Sequence, residues 1–326
     1  MSELRFDNIT VRYGTGRTSL LAVADTTLVV PSGKVVGLVG ESGSGKSTLG
    51  RAAVGLAPLA EGSITLDGQQ LRRGATERGR RPVQMVFQDP YSSLDPRMTI
   101  GDSIAEPIPR STIRRATARH AEVARLLELV DLDPDRATAY PAQLSGGQRQ
   151  RVALARALAA QPEVIIADEI TSALDVSIQG TVLNLVRDLQ RELHLSMLFI
   201  SHNLAVVRYV SDIIAVMYLG RIVEHGPAND ILTNPRHPYT RDLLTAIPDP
   251  TTDTLAEPDP DSALQAVADA EPADPHHPPA GCHYHPRCPI GPLVNTDRTI
   301  CLTTAPTGDG RPSHAACHYA TNLATV

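Results

Sequence analysis

Val35-Val36-Gly37-Leu38-Val39, followed at once by Gly40-Glu41-Ser42-Gly43-Ser44-Gly45-Lys46-Ser47-Thr48, is the stretch on which the fold turns. A short unbroken apolar run has the pattern of a strand buried on both faces of a parallel sheet. The residues from Gly40 to Ser47 fit G-x-x-x-x-G-K-[ST], a turn whose glycines let successive backbone N–H groups point inward at an anion. A helix starting near Lys46 adds the positive end of its dipole. Lys46 is then placed for β- and γ-phosphates, the Ser47 hydroxyl for Mg²⁺, and Thr48 for the phosphate side. A glycine turn that merely happens to precede a lysine does not account for the strand before it and the helix after it.

Outward from this loop, strands and helices alternate. Apolar or β-branched runs at 4–12, 20–30, 64–66, 83–87, 164–167, 197–200 and 213–217 read as strands, and Leu219-Gly220 as the turn of a hairpin. Helical spacing dominates 101–131, where Val123, Leu126, Leu127 and Val130 share a face, and recurs over 148–160 and 178–193. Alternation of this kind predicts an α/β fold with a mainly parallel sheet between helical layers.

Two further stretches carry chemistry. The strand Val164-Ile165-Ile166-Ala167 ends in Asp168-Glu169. Carboxylates at the carboxyl end of a parallel strand stand where ligands bind in open α/β sheets. Asp168 suits Mg²⁺, and Glu169 suits the polarising of an attacking water. Taken alone the pair is also what an acidic helix start looks like. Leu144-Ser145-Gly146-Gly147-Gln148 precedes a helix and offers a second anion-binding helix start. Two such surfaces in one chain, against one γ-phosphate per nucleotide, point to ATP held between two chains.

With these motifs in order, the chain resembles the nucleotide-binding subunits of ABC transporters over roughly residues 3–247. The resemblance implies a P-loop NTPase fold: a RecA-like core, an antiparallel β subdomain and a helical subdomain at about 92–160, all within residues 1–247. It implies Tyr13 as the aromatic on adenine, and Gln88 as the γ-phosphate sensor and Mg²⁺ ligand beside Ser47 and Asp168. Glu169 is the implied catalytic base, and His202 the implied switch histidine that positions it. Ser145 and its neighbours, with Asp175 in Ser172-Ala173-Leu174-Asp175, are implied contacts to ATP on the opposing subunit. The family commonly has proline after the catalytic glutamate, where this chain has Ile170. Ile there relaxes a backbone restraint without removing a reacting group.

Gln84-Met85-Val86-Phe87-Gln88-Asp89-Pro90-Tyr91-Ser92-Ser93-Leu94-Asp95-Pro96 and Asn234-Pro235-Arg236-His237-Pro238-Tyr239 are similar to the oligopeptide/dipeptide importer branch, and within it to the second of two ATPase subunits. That branch implies a second ATPase subunit, two transmembrane permease subunits and an extracytoplasmic substrate-binding protein. It places the chain on the cytoplasmic face of the cell membrane. Nickel chelates, glutathione and other small solutes remain alternative cargoes. A soluble ABC ATPase of ribosomes or DNA is a rival reading, but those usually carry two ATPase units or long coiled-coil insertions.

The bulk properties agree. The chain has 326 residues, with 30 basic and 36 acidic side chains for a net charge of −6, and carries no footprint of a nucleic-acid binder. No run reaches the roughly 18 apolar residues of a membrane span, and Met1-Ser2-Glu3-Leu4-Arg5 is unlike a secretory signal, so a soluble chain is expected. The clustered Arg72, Arg73, Arg78, Arg80 and Arg81 read as a solvated loop.

After Ile247 the composition changes. Residues 248–281 are rich in Pro, Asp and Ala and read as a flexible linker. All the cysteines, Cys282, Cys288, Cys301 and Cys317, fall in 282–326, which reads as a metal-binding extension. The resemblance implies that the four thiolates hold a [4Fe–4S] cluster. The same ligand count satisfies zinc, with His283, His285, His314 and His318 nearby, and inert thiols remain a third reading.

Overall fold

The computed structural model describes residues 2–14, 19–71, 81–109, 113, 115–245, 273–307 and 313–320. Two sheets organise them. The first contains β1 (Leu4–Tyr13), β2 (Leu20–Val30), β4 (Leu59–Leu66) and β5 (Gln69–Gln70) in the order β2-β1-β4-β5, with every pair antiparallel.

The second sheet runs β11-β10-β9-β3-β8-β7-β6. Its parallel part consists of β3 (Val35–Val39), β6 (Val83–Val86), β7 (Val164–Asp168), β8 (Ser196–Ser201) and β9 (Ile213–Tyr218). Strand β10 (Arg221–Pro227) returns antiparallel from β9 through the turn at Leu219-Gly220. Strand β11 (His314–Ala315) comes from the far end of the chain and pairs with β10, so the C-terminal segment extends the core sheet.

Every residue of β3, β7 and β8 is buried, as expected of parallel strands covered on both faces. Their side chains sort by alternation. Val36, Leu38, Ile166, Leu198 and Ile200 join a core with β1, β2 and helix α1 (Lys46–Ala53). Val35, Val39, Ile165, Ala167, Met197 and Phe199 join a larger core under the remaining helices. One sheet thus serves two cores because strand residues point alternately to opposite faces.

Helices α2 (Pro90–Ser93), α3 (Ile100–Ala105), α4 (Ala116–Leu129) and α5 (Gly146–Ala159) form the helical layer between β6 and β7. The helical run expected over 101–131 is two helices, with α3 passing into a turn at 106–107 before Pro109. Pro107 and Pro109 have no N–H to donate to the carbonyls of Ser103 and Ala105, so the helical ladder cannot continue. Helices α6 (Val176–Leu193), α7 (Leu204–Val210), α8 (Ala228–Thr233) and α9 (Pro238–Thr245) complete the order before the C-terminal segment. Among the described residues no helix is long and apolar enough to cross a membrane. Most of the expected linker, and Arg72, Arg73, Arg78 and Arg80, lie outside the described residues.

Candidate functional site

The phosphate loop is shaped by contacts that exclude side chains. Gly43 and Gly45 have φ of 79° and 100°, in the region that glycine alone enters freely. A Cβ on Gly45 would stand 2.2 Å from the carbonyl oxygen of Ala22, so β2 closes the loop from outside. At the mouth of α1, Lys46 Nζ donates to the carbonyl oxygens of Gly40 and Glu41 at 2.8 and 2.7 Å. Burial pushes the Lys46 ammonium below the ordinary lysine range, while Glu169, Asp168 and Glu41 pull it back up. A buried cation kept charged by carboxylates is a grip suited to a polyanion.

Four side chains, Gln88, Asp168, Glu169 and His202, gather where β6, β7 and β8 end. Ser47 Oγ donates to Asp168 Oδ1 at 2.7 Å, joining the start of α1 to the end of β7. Burial raises the Asp168 pKa, against the hydrogen bond from Ser47. Gln88 Nε2 donates to Glu169 Oε2 at 3.0 Å and to Ser172 Oγ at 3.3 Å. His202 Nδ1 lies 3.2 Å from Glu169 Oε1. Glu169 itself has φ 47°, a left-handed backbone that tips it out of line with β7, and Ile170 behind it is packed in the larger core. The hydroxyl and carboxylate oxygens at Ser47 and Asp168 are the hard donors that Mg²⁺ takes, so this donor set fits that ion.

One cavity of about 650 Å³ lies between β2, β10 and the C-terminal segment, away from these groups. The cavity over the phosphate loop is smaller, about 330 Å³, and is lined by Tyr13, Ser42, Lys46, Thr48, Gln88 and Glu169 among others. Pro275, Pro278 and His283 line it too, so the end of the expected linker forms part of its wall.

The signature residues are elsewhere. Ser145 caps α5, with its Oγ accepting from Gln148 N at 3.3 Å and its own N–H donating to Gln148 Oε1 at 2.9 Å. Ser145 is exposed, Leu144 is buried beneath it, and none of Leu144, Ser145, Gly146, Gly147 or Gln148 lines the cavity over the loop. Asp175 precedes α6 as an exposed N-cap residue, also outside that cavity. The chain therefore presents two separate helix starts, at Lys46 and at Gly146.

The family pattern described as ABC transporter matches residues 23–172, and that described as oligopeptide/dipeptide transporter, C-terminal region, matches residues 223–291. The di/tripeptide transport ATP-binding protein DppF of Pseudomonas aeruginosa is 45% identical over 277 residues, covering 84% of each chain. The chain belongs to the ABC transporter family, in its peptide-transporter branch. A probable peptide ABC transporter ATP-binding protein of Sinorhizobium fredii is 44% identical over 300 residues, 91% of this chain and 82% of that one. The glutathione import ATP-binding protein GsiA of Pectobacterium atrosepticum is 53% identical over 212 residues, and this ABC protein spans only 34% of its length. The fold matches a dimeric ATP-binding cassette solved with ADP and phosphate, at a TM-score of 0.61 and 27% identity, over 69% of this chain and 98% of that one.

The four cysteines are free thiols that line one small cavity with Tyr284, His285 and Tyr319. Burial pushes Cys282 and Cys288 up to about 12, with neighbouring thiols adding to the effect. No group of three or more His, Cys, Asp or Glu among the described residues is placed to hold a single metal ion.

Arg287, Tyr239 and His283 were not marked by sequence reasoning as parts of the nucleotide site. Arg287 Nη1 donates to Glu41 Oε1 at 2.9 Å, and the Glu41 N–H donates to the Tyr239 hydroxyl at 2.8 Å. These contacts join residues roughly 200 or more positions apart, beyond the reach of any local pattern.

Proposed function

We propose that this chain is the ATP-hydrolysing subunit that powers an importer of oligopeptides or dipeptides. The observation that carries the reading is the pair of half-sites: a complete phosphate loop with its carboxylates on one side, and a solvent-facing Ser145 helix start on the other. Two chains related head to tail would each complete the other's site. The names of the relatives and the match of residues 223–291 to the peptide-transporter C-terminal region support the cargo class. The similarity to GsiA supports glutathione, itself a small peptide, as the second reading.

In this reading Tyr13 stacks on adenine, and the N–H groups of Gly40 to Ser47 with Lys46 hold the phosphates. Thr48 supports the phosphate side. Ser47, Asp168 and Gln88 would hold Mg²⁺, which supplies neutralisation of phosphate charge. Glu169 orients the attacking water and accepts its proton. His202 fixes Glu169 from one side and Gln88 from the other, at 3.2 and 3.0 Å. Leu144, Ser145, Gly146, Gly147, Gln148 and Asp175 close over the partner's nucleotide. Charge stabilisation by preorganised donors is the main term in such phosphoryl transfer.

The partners follow from the family: a second ATPase subunit, two permease subunits that bring the chain to the cytoplasmic face of the membrane, and a substrate-binding protein outside. The domain reading is residues 1–247 for the nucleotide-binding unit, 248–281 for a linker and 282–326 for a cysteine-bearing extension. For the cysteines, the reading of a [4Fe–4S] cluster ahead of zinc rests on the family resemblance alone; what supports a shared role is that the four thiols line one cavity. Such a group would cross-link the short loops of the extension.

The test is the reconstituted four-subunit membrane complex with its binding protein. Peptide-loaded binding protein is expected to stimulate ATP hydrolysis several-fold and drive peptide uptake. Stimulation by a nickel chelate alone, with none by di- or oligopeptides or glutathione, contradicts the cargo assignment.

A further inference from the structure

The C-terminal segment touches the nucleotide site at the second residue of the phosphate loop. The Glu41 carboxylate is close enough to Lys46 to help hold its charge, and the Glu41 carbonyl oxygen accepts from Lys46 Nζ at 2.7 Å. Arg287 Nη1 reaches that carboxylate at 2.9 Å from the short turn His285–Arg287, which lies between Cys282 and Cys288. The pair is partly shielded, with side chains 25% and 34% exposed, so water weakens the attraction only in part. The Glu41 N–H is held by Tyr239, a buried ring at the start of α9. Tyr239 packs against Tyr218 and Tyr284 with centroids 4.7 and 5.4 Å apart, and the Tyr284 hydroxyl bonds Asp242. Pro275, Pro278 and His283 line the same cavity as Tyr13 and Lys46.

An uncompensated carboxylate in a phosphate loop repels the polyanion that the loop binds. We propose that Arg287 is a positioning residue of the nucleotide site, which cancels the Glu41 charge and, with Tyr239, holds the phosphate loop ready for ATP, so that the C-terminal segment sets ATP affinity. The inference rests on the phosphate loop being the ATP site. It gives the extension a task in the reaction itself: anything that reorders the turn between Cys282 and Cys288 moves Arg287 relative to Glu41.

The experiment measures equilibrium binding of a fluorescent ATP analogue with Mg²⁺ to the full-length chain, together with KM and kcat of the assembled complex. Arg287→Met is expected to raise Kd and KM for ATP about tenfold, with the loss falling on KM rather than kcat. Glu41→Gln is expected to tighten ATP binding at least about twofold, because the freed guanidinium then faces the phosphates. Combined with Arg287→Met it should return Kd to within about twofold of the natural protein. A purely structural role predicts that both single variants weaken binding and the double variant does not recover. An unchanged Kd in Arg287→Met, or equal or weaker binding in Glu41→Gln, overturns the proposal; the latter decides alone if Arg287→Met does not fold. Lys46→Ala is measured alongside. If it leaves Kd unchanged, the ATP site itself is misassigned and the proposal falls with it. If it abolishes binding while Arg287→Met does not weaken it, only the role of Arg287 falls.

Discussion

Glu169 is held by two side chains. Gln88 and His202 take one carboxylate oxygen each, at 3.0 and 3.2 Å, and leave it facing the cavity over Lys46. Glu169→Gln keeps the shape and loses the proton acceptor. It should bind ATP with affinity within a few-fold of the natural chain and lose about a hundredfold or more in kcat. Single-turnover hydrolysis at the natural rate in that variant would remove Glu169 from the chemistry. Lys46, Ser47, Asp168 and Glu169 were legible in the sequence because each stands at a fixed offset from a buried strand end. Arg287 was not, because nothing about an arginine in a cysteine-rich segment states which distant carboxylate it meets. Ile170 is explained by burial: it packs into the larger core, where an aliphatic side chain serves as well as proline.

At the level of elements, the loop depends on β2 as much as on its own glycines. Gly45 combines φ 100° with a Cβ position 2.2 Å from the Ala22 carbonyl. Gly45→Ala is therefore expected to weaken ATP binding by more than about tenfold and to destabilise the chain by about 1–3 kcal/mol, read from nucleotide titration and urea unfolding. Natural affinity and stability in that variant would show that the loop relaxes freely.

A second element-scale expectation concerns acid. His237, ahead of α9, is fully buried; its backbone N–H donates to Glu224 at 3.0 Å and its Nδ1 accepts from Tyr239 N at 3.1 Å. Burial pushes its pKa from 6.5 to about 3. The unfolded chain then takes up this proton first, so the His237 contribution is present above the ordinary histidine value and is lost as pH falls toward about 3. Asp242, raised by burial from 3.8 to about 6, acts in the opposite sense: its contribution is present at low pH and is lost as pH rises through about 6. His237→Gln should flatten the acid side of the stability profile, measured as urea midpoints at pH 7 and pH 4. An identical fall in variant and natural protein would contradict this. The main strands and the helices α1, α4, α5 and α6 were readable from the sequence, whereas the short helices α7, α8 and α9, the break between α3 and α4 and the strand β11 were not. A two-residue edge strand has no period to read, and its partner β10 lies about ninety residues away.

Over the whole molecule, the two sheets and the helical layer set the phosphate loop and the Ser145 helix start as separate surfaces. Neither motif alone explains the other. The fold class was legible because every motif is local, while the wall contributed by Pro275 and Pro278 was not, because they come from a stretch whose composition reads as linker; His283, just beyond it, read as part of the cysteine-rich extension. A chain built this way should be a monomer or weak dimer without nucleotide and should dimerise when hydrolysis is blocked and ATP is present. Light scattering on Glu169→Gln with and without ATP checks this, with its complementary subunit added if it does not pair with itself. No change in mass under either condition would count against the shared site.

The most direct measurement is a structure of the assembled complex carrying Glu169→Gln and saturated with ATP and Mg²⁺. The account predicts Ser145 Oγ within hydrogen-bonding distance, about 3 Å, of the γ-phosphate of a nucleotide gripped by the partner subunit's phosphate loop. A closed, ATP-loaded complex in which Ser145 faces solvent, far from any phosphate, would contradict it.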